Sequence, residues 1–172
     1  TLASYNGAVY RTYFNQEQTQ TLKLWCKQHS ITLFCALLSA YEILLYRYTQ
    51  QDDFCIGIPV ANRHLSESEN IMGFFVNSLA MHCDAKTGNN FLQICKAVQK
   101  RLMDAQSNQD IPFEQLVTQL KNVERNPAIN PVFQTFFTLT QDNIATGLQL
   151  NHLNCKYVPA DIDGTKFDLS LN

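Results

Sequence analysis

The amino-acid sequence predicts an α/β fold, a two-layer α/β sandwich in which helices pack against one mostly central sheet. Three observations support this fold class. The predicted elements run strand, helix, helix, strand, strand, helix, helix and then further strands. An apolar content of 45% and a charged content of 16% are typical of a globular chain. A length of 172 residues suits one domain, which buries roughly 70% of its unfolded surface, so we take residues 1–172 as a single domain.

The composition argues against several classes of partner. A net charge of -2 gives no electrostatic reason to bind nucleic acid or an anionic membrane. The longest apolar run, Leu33–Leu45, is interrupted by Ser39 and Glu42 and is too short to span a bilayer. No signal-peptide pattern follows Thr1, and the chain ends at Asn172 within a predicted strand. We therefore expect a cytoplasmic fragment of a longer protein, with neither nucleic acid nor membrane as a partner.

The six cysteines form no recognisable metal or disulfide framework. None belongs to a C-x-x-C pair, and none has a histidine at zinc-ligand spacing. Each lies in an apolar stretch, where a free thiol behaves as a small apolar side chain. A reducing compartment accounts for them more simply than disulfides or a metal site. The six are Cys26, Cys35, Cys55, Cys83, Cys95 and Cys155.

The chain begins with a predicted strand and two predicted helices. Val9–Phe14 is the strand. Asn15 caps a helix that runs to about His29, because Asn is favoured at the N-cap and a glutamine follows at the third helical position. Thr32 caps a second helix that runs to about Tyr48. Apolar residues cover most of the circumference of this second helix, so we expect it to be buried.

The middle of the chain is predicted to hold two strands joined by a long polar loop. The first strand is Phe54–Ile58, and Pro59, which has no N–H to donate, ends this strand or places it at an edge. The loop covers Ala61–Asn70, and functional residues are often found in such loops, although an ordinary surface loop has the same pattern. An apolar run follows, in which the Phe74–Phe75 pair is expected in the core more than against substrate. The second strand, Val76–Asp84, has no wholly polar face, so it is predicted to lie inside the sheet.

Two more helices and a group of strands complete the predicted fold. Asn90 caps the clearest helix, whose apolar stripe runs from Phe91 to Leu102. Asp110 is the predicted N-cap of the next helix, with Pro112 in its first turn. The remaining predicted strands are one that ends near Thr140 after an Asn-Pro turn, Leu148–Leu153 and Lys166–Leu171.

Several of these stretches resemble a known family. IGIPVANR at Ile56–Arg63, followed by ESENIMGFFVNS at Glu67–Ser78, resembles the fifth core motif of the condensation domain of nonribosomal peptide synthetases. NQDIPFEQLV resembles the sixth motif, with Asn108 in place of the family's histidine, and GTKFDLSLN resembles the seventh. The resemblance runs from about Val9 to Leu171 and is to the C-terminal half of that domain. It implies a chloramphenicol acetyltransferase-like lobe, one of two in the domain, with the N-terminal lobe absent.

The resemblance implies an enzyme when the domain is intact. Such a domain transfers an acyl or peptidyl group from a carrier-bound thioester to the amine of a carrier-bound aminoacyl acceptor, forming an amide bond. The implied partners are the N-terminal lobe, the donor and acceptor peptidyl carrier domains, and an adenylation domain of the same megasynthase. Phosphopantetheine would arrive on the carriers, so neither a directly bound cofactor nor a metal is expected.

The family's catalytic motif, His-His-x-x-x-Asp-Gly, belongs to the other lobe and does not occur in this sequence. We therefore expect the fragment alone to be inactive and assign it no catalytic residue.

The resemblance places several residues of this lobe along the substrate tunnel between the lobes. Asn77 and Ser78 are small polar side chains in an apolar strand, suited to donating hydrogen bonds to a carbonyl or oxyanion, or else to satisfying nearby backbone groups. Arg63 is suited to a bidentate pair with a carboxylate of the other lobe, or to a pair with Glu67 or Glu69. The tunnel candidates are Pro59, Asn62, Arg63, Gly73, Phe75, Asn77 and Ser78.

Other interpretations of the sequence remain open. Epimerisation and heterocyclisation domains share the fold, and a stand-alone acyltransferase of the same superfamily also fits. A non-catalytic lobe that docks carrier proteins is an alternative of a different class. For the isolated fragment, apolar surface that normally meets the other lobe would be exposed, so we expect dimers or aggregates.

Overall fold

A four-stranded sheet and the helices that flank it form the described part of the protein. The computed structural model describes residues 5–63, 66–84, 90–120, 129–140 and 164–172. The helices are α1 (Gln16–Gln28), α2 (Leu33–Thr49), α3 (Ser66–Glu69), α4 (Phe91–Gln106) and α5 (Phe113–Gln119). The strands are β1 (Asp53–Val60), β2 (Asn77–Asp84), β3 (Thr135–Phe137) and β4 (Leu169–Leu171).

The sheet has the strand order β2-β1-β3-β4 and mixes both pairing directions. β1 and β2 are antiparallel over their full length, from Asp53 opposite Asp84 to Val60 opposite Asn77. β3 runs parallel to β1 and β4 runs parallel to β3. β1 therefore lies between its neighbour in sequence and a strand that the chain reaches only after two further helices.

The core lies between one face of this sheet and the helices α1, α2 and α4. Side chains alternate along a strand, so every second residue of β1 and β2 faces the helices. Ile56 and Ile58 are 0% and 1% exposed, and they pair in register with Met81 and Leu79 of β2. The helices contribute Cys26, Cys35, Ala36, Leu38, Tyr41, Cys95 and Val98 to the same core.

The predicted helix starts are confirmed in three of the helices. The Asn15 Oδ1 accepts from the N–H of Gln18, and the Gln18 side chain accepts from the N–H of Asn15, at 2.8 and 2.9 Å. Asn90 and its partner three residues on form the same capping box at the start of α4. The Thr32 hydroxyl accepts from the N–H of Cys35 at 3.1 Å and caps α2. These helices start where their short-range sequence pattern predicts.

A buried ion pair joins α2 to α4. The Glu42 carboxylate is almost fully enclosed, with 2% of its side chain exposed, and accepts two hydrogen bonds from Nη2 of Arg101, at 2.8 and 3.0 Å. Burial raises the pKa of Glu42, and the adjacent guanidinium opposes that rise. The pair holds two core helices together at the cost of removing a charge from water.

Three of the predicted strands are absent from the structure or shorter than predicted. Val9–Phe14 is not a strand, and its aromatic and aliphatic side chains are exposed because no described strand pairs with it. The nearest pairing is an isolated bridge between Asn6 and Gly164. The strand predicted at Lys166–Leu171 is limited to the three residues of β4, and the strand predicted to end near Thr140 stops at Phe137. The strand predicted at 148–153 lies outside the described residues.

Two predictions about the central strands also change. Among the described strands, β2 lies at the edge of the sheet, with one buried and one partly exposed face, whereas it was predicted to lie inside the sheet. β1 does not end at Pro59 but continues to Val60. Because β3 pairs with β1 only at Ile56 and Gly57, the missing N–H of Pro59 removes no hydrogen bond to β3.

The five described cysteines are free thiols, and four of them are buried, as expected of small apolar side chains. Cys155 lies outside the described residues.

Among the described helices, none alone is long and apolar enough to cross a membrane. The pair α1 and α2 together meets that criterion by length and composition only, and the chain bends by 105° between the two helices.

Candidate functional site

The loop between β1 and β2 carries most of the tunnel candidates. Asn62 has a φ of 51° and turns the chain out of β1, in a left-handed conformation that Asn tolerates better than most residues. The single turn of α3 follows, and an irregular stretch at 70–76 then leads into β2. His64, in the same loop, lies outside the described residues.

Arg63 holds this loop from the inside. Its Nη1 donates to the carbonyl oxygens of Ser68 and Ile71, the latter at 2.9 Å, and its Nη2 donates to the carbonyl oxygen of Gly73 at 3.3 Å. The guanidinium also lies over the ring of Phe75, with 4.2 Å between Cζ and the ring centroid. One half-buried side chain therefore binds backbone groups spread over six consecutive residues, 68–73.

The predicted pairing of Arg63 with Glu67 or Glu69 is wrong. Both glutamates lie on α3 with exposed side chains, and the ion pairs found in the described part of the chain do not include them. Carbonyl oxygens of an irregular loop lack ladder partners, and they take the donors that a carboxylate would otherwise receive.

Apolar side chains of the same loop project into solvent. Met72 is 98% exposed and Phe74 is 92% exposed, while Ile71 and Val76 are about half exposed, at 52% and 50%. The prediction that Phe74 belongs to the core is wrong, because the loop turns it away from the sheet. Phe75 is half-buried beneath the arginine. The tunnel candidates thus adjoin an exposed apolar surface formed by residues 71, 72, 74 and 76.

Asn77, the first residue of β2, joins this strand to the start of α5. Its Nδ2 donates to the carbonyl oxygens of Gln109 and Ile111, at 2.9 and 2.8 Å. Its Oδ1 accepts from the N–H groups of Ser78 and Phe113, at 2.9 and 3.1 Å. A carboxamide offers two N–H donors and one oxygen with two lone pairs. Backbone groups therefore use the full hydrogen-bonding capacity of this side chain, and no N–H is left for a substrate oxygen in this arrangement.

The same bonds explain how α5 begins. Its N-cap position is Pro112, which provides no side-chain hydrogen bond, so the predicted cap at Asp110 is wrong. The helix takes its cap from across the fold, because the Asn77 Oδ1 accepts from the N–H of Phe113. A residue 36 positions away in sequence does what Asp110 was predicted to do.

Ser78 faces the opposite side of the sheet from Asn77. It lies beside Pro59, its partner in register, and its nearest neighbours on that face of the ladder are the small residues Gly57 and Ala80. Its side chain is half-buried, and within the described residues its hydroxyl has no hydrogen-bond partner. Ser78 therefore keeps a donor that Asn77 has lost.

Phe133 covers the centre of this face and was not identified from the sequence. A Cβ added at Gly57 would lie 2.3 Å from the Cε2 of Phe133, so only glycine permits this contact. Val132 has a φ of 69°, and the N–H of Phe133 donates to the Pro131 carbonyl at 2.8 Å, in a tight turn that delivers the ring. The ring also lies 4.9 Å from that of Phe113 in α5. A glycine inside a strand pattern was the available indication, since it often marks a close approach.

A groove of about 330 Å³ opens at the end of β1, between the sheet and the helices α2 and α4. It touches one tunnel candidate, Pro59, and the described residues that line it carry no charge. The groove is formed by Thr32, Phe34, Cys35, Ile58, Pro59, Val60, Gln99, Leu102, Met103 and Gln106.

The described residues offer no activated nucleophile beside the candidates. Burial raises the pKa of the half-buried Cys55 thiol, and the negative charge of Asp53 raises it further, so this thiol stays protonated at neutral pH. His82 lies opposite Cys55, but its Nε2 is bound to Asp53 at 2.8 Å in an exposed pair. Within the described ranges, no group of three or more His, Cys, Asp or Glu side chains is placed to hold a metal.

Solved structures share this fold. A four-domain nonribosomal peptide synthetase bound to AMP and glycine aligns with a TM-score of 0.76 at 27% identity, over 79% of this chain and 10% of that chain. The X-domain from teicoplanin biosynthesis aligns with a TM-score of 0.76 at 22% identity, over 87% of this chain and 33% of that chain. The predicted architecture, a chloramphenicol acetyltransferase-like α/β lobe, is confirmed.

The sequence model of the condensation domain matches residues 2–172, and the chain belongs to the condensation domain family. Malpibaldin synthetase of Mortierella alpina is 37% identical over 168 residues, which cover 98% of this chain and 3% of that protein. Surfactin synthase subunit 1 of Bacillus subtilis (strain 168) is 40% identical over 146 residues, covering 84% of this chain and 4% of that protein. The chain thus spans a few per cent of the length of these two proteins.

Proposed function

We propose that this chain is the C-terminal lobe of a nonribosomal peptide synthetase condensation domain, which forms an amide bond between two carrier-bound substrates. The observation that carries the proposal is the family match over residues 2–172. The similarity to a solved four-domain nonribosomal peptide synthetase and to proteins named as a synthase and a synthetase agrees with this activity.

The reaction sets the chemical demands on the site. A neutral amine of the acceptor attacks the thioester carbonyl of the donor, so a C–N bond forms and a C–S bond breaks. The amine proton must leave and the sulfur departs as a thiol. Attack on the carbonyl develops an oxyanion, which hydrogen-bond donors fixed in the site would stabilise. This chain has no His-His-x-x-x-Asp-Gly motif, so the proton-handling histidine is assigned to the lobe outside this sequence.

The role of this lobe is to form one wall of the tunnel. Ser78 is the donor that we assign to the developing oxyanion, because its hydroxyl faces away from the helices and has no partner among the described residues. Asn77 is assigned a supporting role, because its carboxamide is fully bound to backbone groups. Pro59, Asn62, Gly73 and Phe75 remain proposed wall residues.

The partners follow from the proposed reaction. The donor and acceptor carriers would bring their substrates on phosphopantetheine arms, so this chain would bind the arms transiently and hold no cofactor of its own. The N-terminal lobe would cover the open side of the tunnel, and an adenylation domain of the same protein would load the acceptor carrier.

A second candidate function is a non-catalytic docking lobe. The fold is shared with an X-domain that has been solved in complex with OxyB, at 21% identity and a TM-score of 0.74, so the same scaffold can serve protein binding. The exposed side chains of Met72 and Phe74 suit a docking role as well as a lobe interface.

The two candidates differ in a single-turnover experiment on the full-length protein that contains this chain. Donor and acceptor carriers are loaded, and the amide product is followed by mass spectrometry while carrier binding is measured in parallel. The condensation function predicts amide formation, and a Ser78→Ala variant should lose about a hundredfold in rate with unchanged carrier binding. Carrier binding without any amide product would favour the docking lobe instead. A Ser78→Ala rate equal to that of the parent would remove Ser78 from the reaction.

A further inference from the structure

Within the described residues, the guanidinium of Arg63 is bound to the loop that leads into the tunnel wall and forms no ion pair. It donates to the carbonyl oxygens of Ser68, Ile71 and Gly73, and it rests on the ring of Phe75. These contacts span most of the described segment between α3 and β2. The guanidinium is thus an internal template for that segment.

Arginine suits this task better than any other side chain. Its planar guanidinium presents five N–H donors in a fixed fork, and its flat face stacks on an aromatic ring. A lysine at the same position would present a compact charge that cannot bind three carbonyl oxygens and stack on a ring in one geometry. Hydrogen bonds from a charged donor are also stronger than neutral ones. Residues 71–74 of the loop are exposed, so they gain little from packing against the rest of the fold.

The template fixes a segment that ends close to Ser78. Gly73, the last carbonyl bound by Arg63, lies four residues before Asn77, whose side chain binds backbone groups of residues 109–113 and the N–H of Ser78. Two side-chain clamps therefore hold the piece of chain between Gly73 and Ser78, one at each end. A shift at the first clamp would pass to the wall of the tunnel, and a misplacement of about 1 Å can cost about a hundredfold in rate.

We infer that Arg63 is a positioning residue for the condensation reaction, which acts by ordering the loop at 66–76 and so placing Ser78, and that it does not itself contact substrate. This inference rests on the proposed function. Arg63 then has a structural role within the tunnel wall. This role replaces the predicted ion pair between Arg63 and a carboxylate of the other lobe.

The test uses the full-length protein with Arg63→Ala and Arg63→Lys variants. Arg47→Ala is the matched control, because Arg47 is an exposed arginine in the last turn of α2. Amide hydrogen exchange, followed by mass spectrometry, reports the order of residues 66–76 against α2 and α4. Single-turnover amide formation and carrier binding are measured on the same samples, with and without added guanidinium ion.

Arg63→Ala should speed exchange in the loop at least severalfold while exchange in α2 and α4 stays unchanged. The rate of amide formation should fall by about ten- to a hundredfold with unchanged carrier binding. This is the loss expected when the Ser78 hydroxyl is displaced by up to about 1 Å. Millimolar guanidinium should restore part of the rate of Arg63→Ala, and methylammonium should not, because only the planar ion fits the three carbonyls. Arg63→Lys should recover little.

Unchanged loop exchange in Arg63→Ala would overturn the inference, whatever the activity. A rate loss that appears as weaker carrier binding would overturn it too, since the arginine would then act at a docking surface. These outcomes are separate from failure of the proposed function, which would show as absence of amide product from the unmodified protein while the loop exchange results remain readable.

Discussion

Replacing Asn77 with alanine should destabilise the domain by about 4 kcal/mol, since a net hydrogen bond contributes about 1 kcal/mol and this side chain makes four. The side chain is buried, with 8% of the residue exposed, so water replaces the lost bonds poorly. The change leaves the N–H of Phe113 and the carbonyl oxygens of Gln109 and Ile111 without this partner. It also removes the cap of α5, so the loss should be concentrated at that helix and at the start of β2.

Asn77→Asp sharpens the same prediction, because aspartate has the shape of asparagine. One carboxylate oxygen could still accept from the two N–H groups. The other would face two carbonyl oxygens at the 2.8 and 2.9 Å now spanned by N–H donors, which is repulsive. The pKa of the introduced carboxyl should therefore rise on folding. A folded pKa above the unfolded value gives stability that is full below the unfolded pKa and is lost as pH rises through the folded pKa. Asn77→Asp should thus approach the parent's stability at acid pH and fall away from it toward neutral pH.

The assay is urea unfolding of the intact condensation domain at several pH values, with free energies of unfolding compared between parent, Asn77→Ala and Asn77→Asp. Asn108→Ala is a suitable control, since Asn108 is an exposed asparagine whose amide bonds only one carbonyl within its own helix end. A loss below about 1 kcal/mol for Asn77→Ala would refute the reasoning, because four bonds of ordinary strength could not then exist. A pH-independent loss in Asn77→Asp would show that the second oxygen does not face carbonyl groups.

Three further predictions concern the core and the exposed surface. Gly57→Ala should destabilise the domain by about 1–3 kcal/mol, because the added methyl group would overlap the ring of Phe133 that covers this position. Urea unfolding measures this loss, and an unchanged unfolding midpoint would contradict the contact. Arg101→Met should cost about 3–5 kcal/mol at neutral pH by leaving Glu42 buried and unpaired. Burial already raises the pKa of Glu42, so the cost should shrink as pH falls and the carboxyl takes up a proton; a loss that grew at acid pH would reverse this sign. The isolated chain should self-associate in multi-angle light scattering, and a Met72→Ser, Phe74→Ser double variant should shift it toward monomer, whereas a parent that is monomeric at high concentration would oppose this.

The local parts of the fold were predictable because their causes lie within a few residues. The caps at Asn15, Thr32 and Asn90 depend on hydrogen bonds that reach three residues along the chain. Such bonds form in any context that allows a helix, so the sequence pattern finds them. The strand at β1 follows in the same way from its run of apolar residues.

The pairing of strands was not predictable from local pattern. Val9–Phe14 has the composition of a strand, yet a strand needs a partner, and none of the described strands lies beside it. β2 has a mixed composition on both faces, but its place at the edge of the described sheet depends on where β3 inserts. Both outcomes are decided by residues distant in sequence.

In the candidate site, the sequence indicated which residues are involved but not which groups they bind. The polar candidates around the loop were found from their residue types, but the roles of Arg63 and Asn77 depend on carbonyl groups that no pattern identifies. Three of the four backbone groups bound by the Asn77 side chain lie 32 to 36 residues further along the chain. Asp110, the predicted N-cap of α5, lies within that same segment. The capping pattern therefore pointed to a nearby residue, whereas the hydrogen bond at the start of the helix comes from Asn77.

The hydrogen-bond count at the start of β2 carries the strongest consequence for the reaction. Of the donors on the Asn77 and Ser78 side chains and the Ser78 backbone, both N–H groups of the Asn77 amide and the backbone N–H of Ser78 are already bound. The Ser78 hydroxyl is the donor that remains in this set. If one of these donors stabilises an oxyanion, it is that hydroxyl, and threonine at position 78 should preserve the rate where alanine does not, because it keeps the hydroxyl on the same carbon. The two asparagine N–H groups would then contribute only through the place in which they hold the serine.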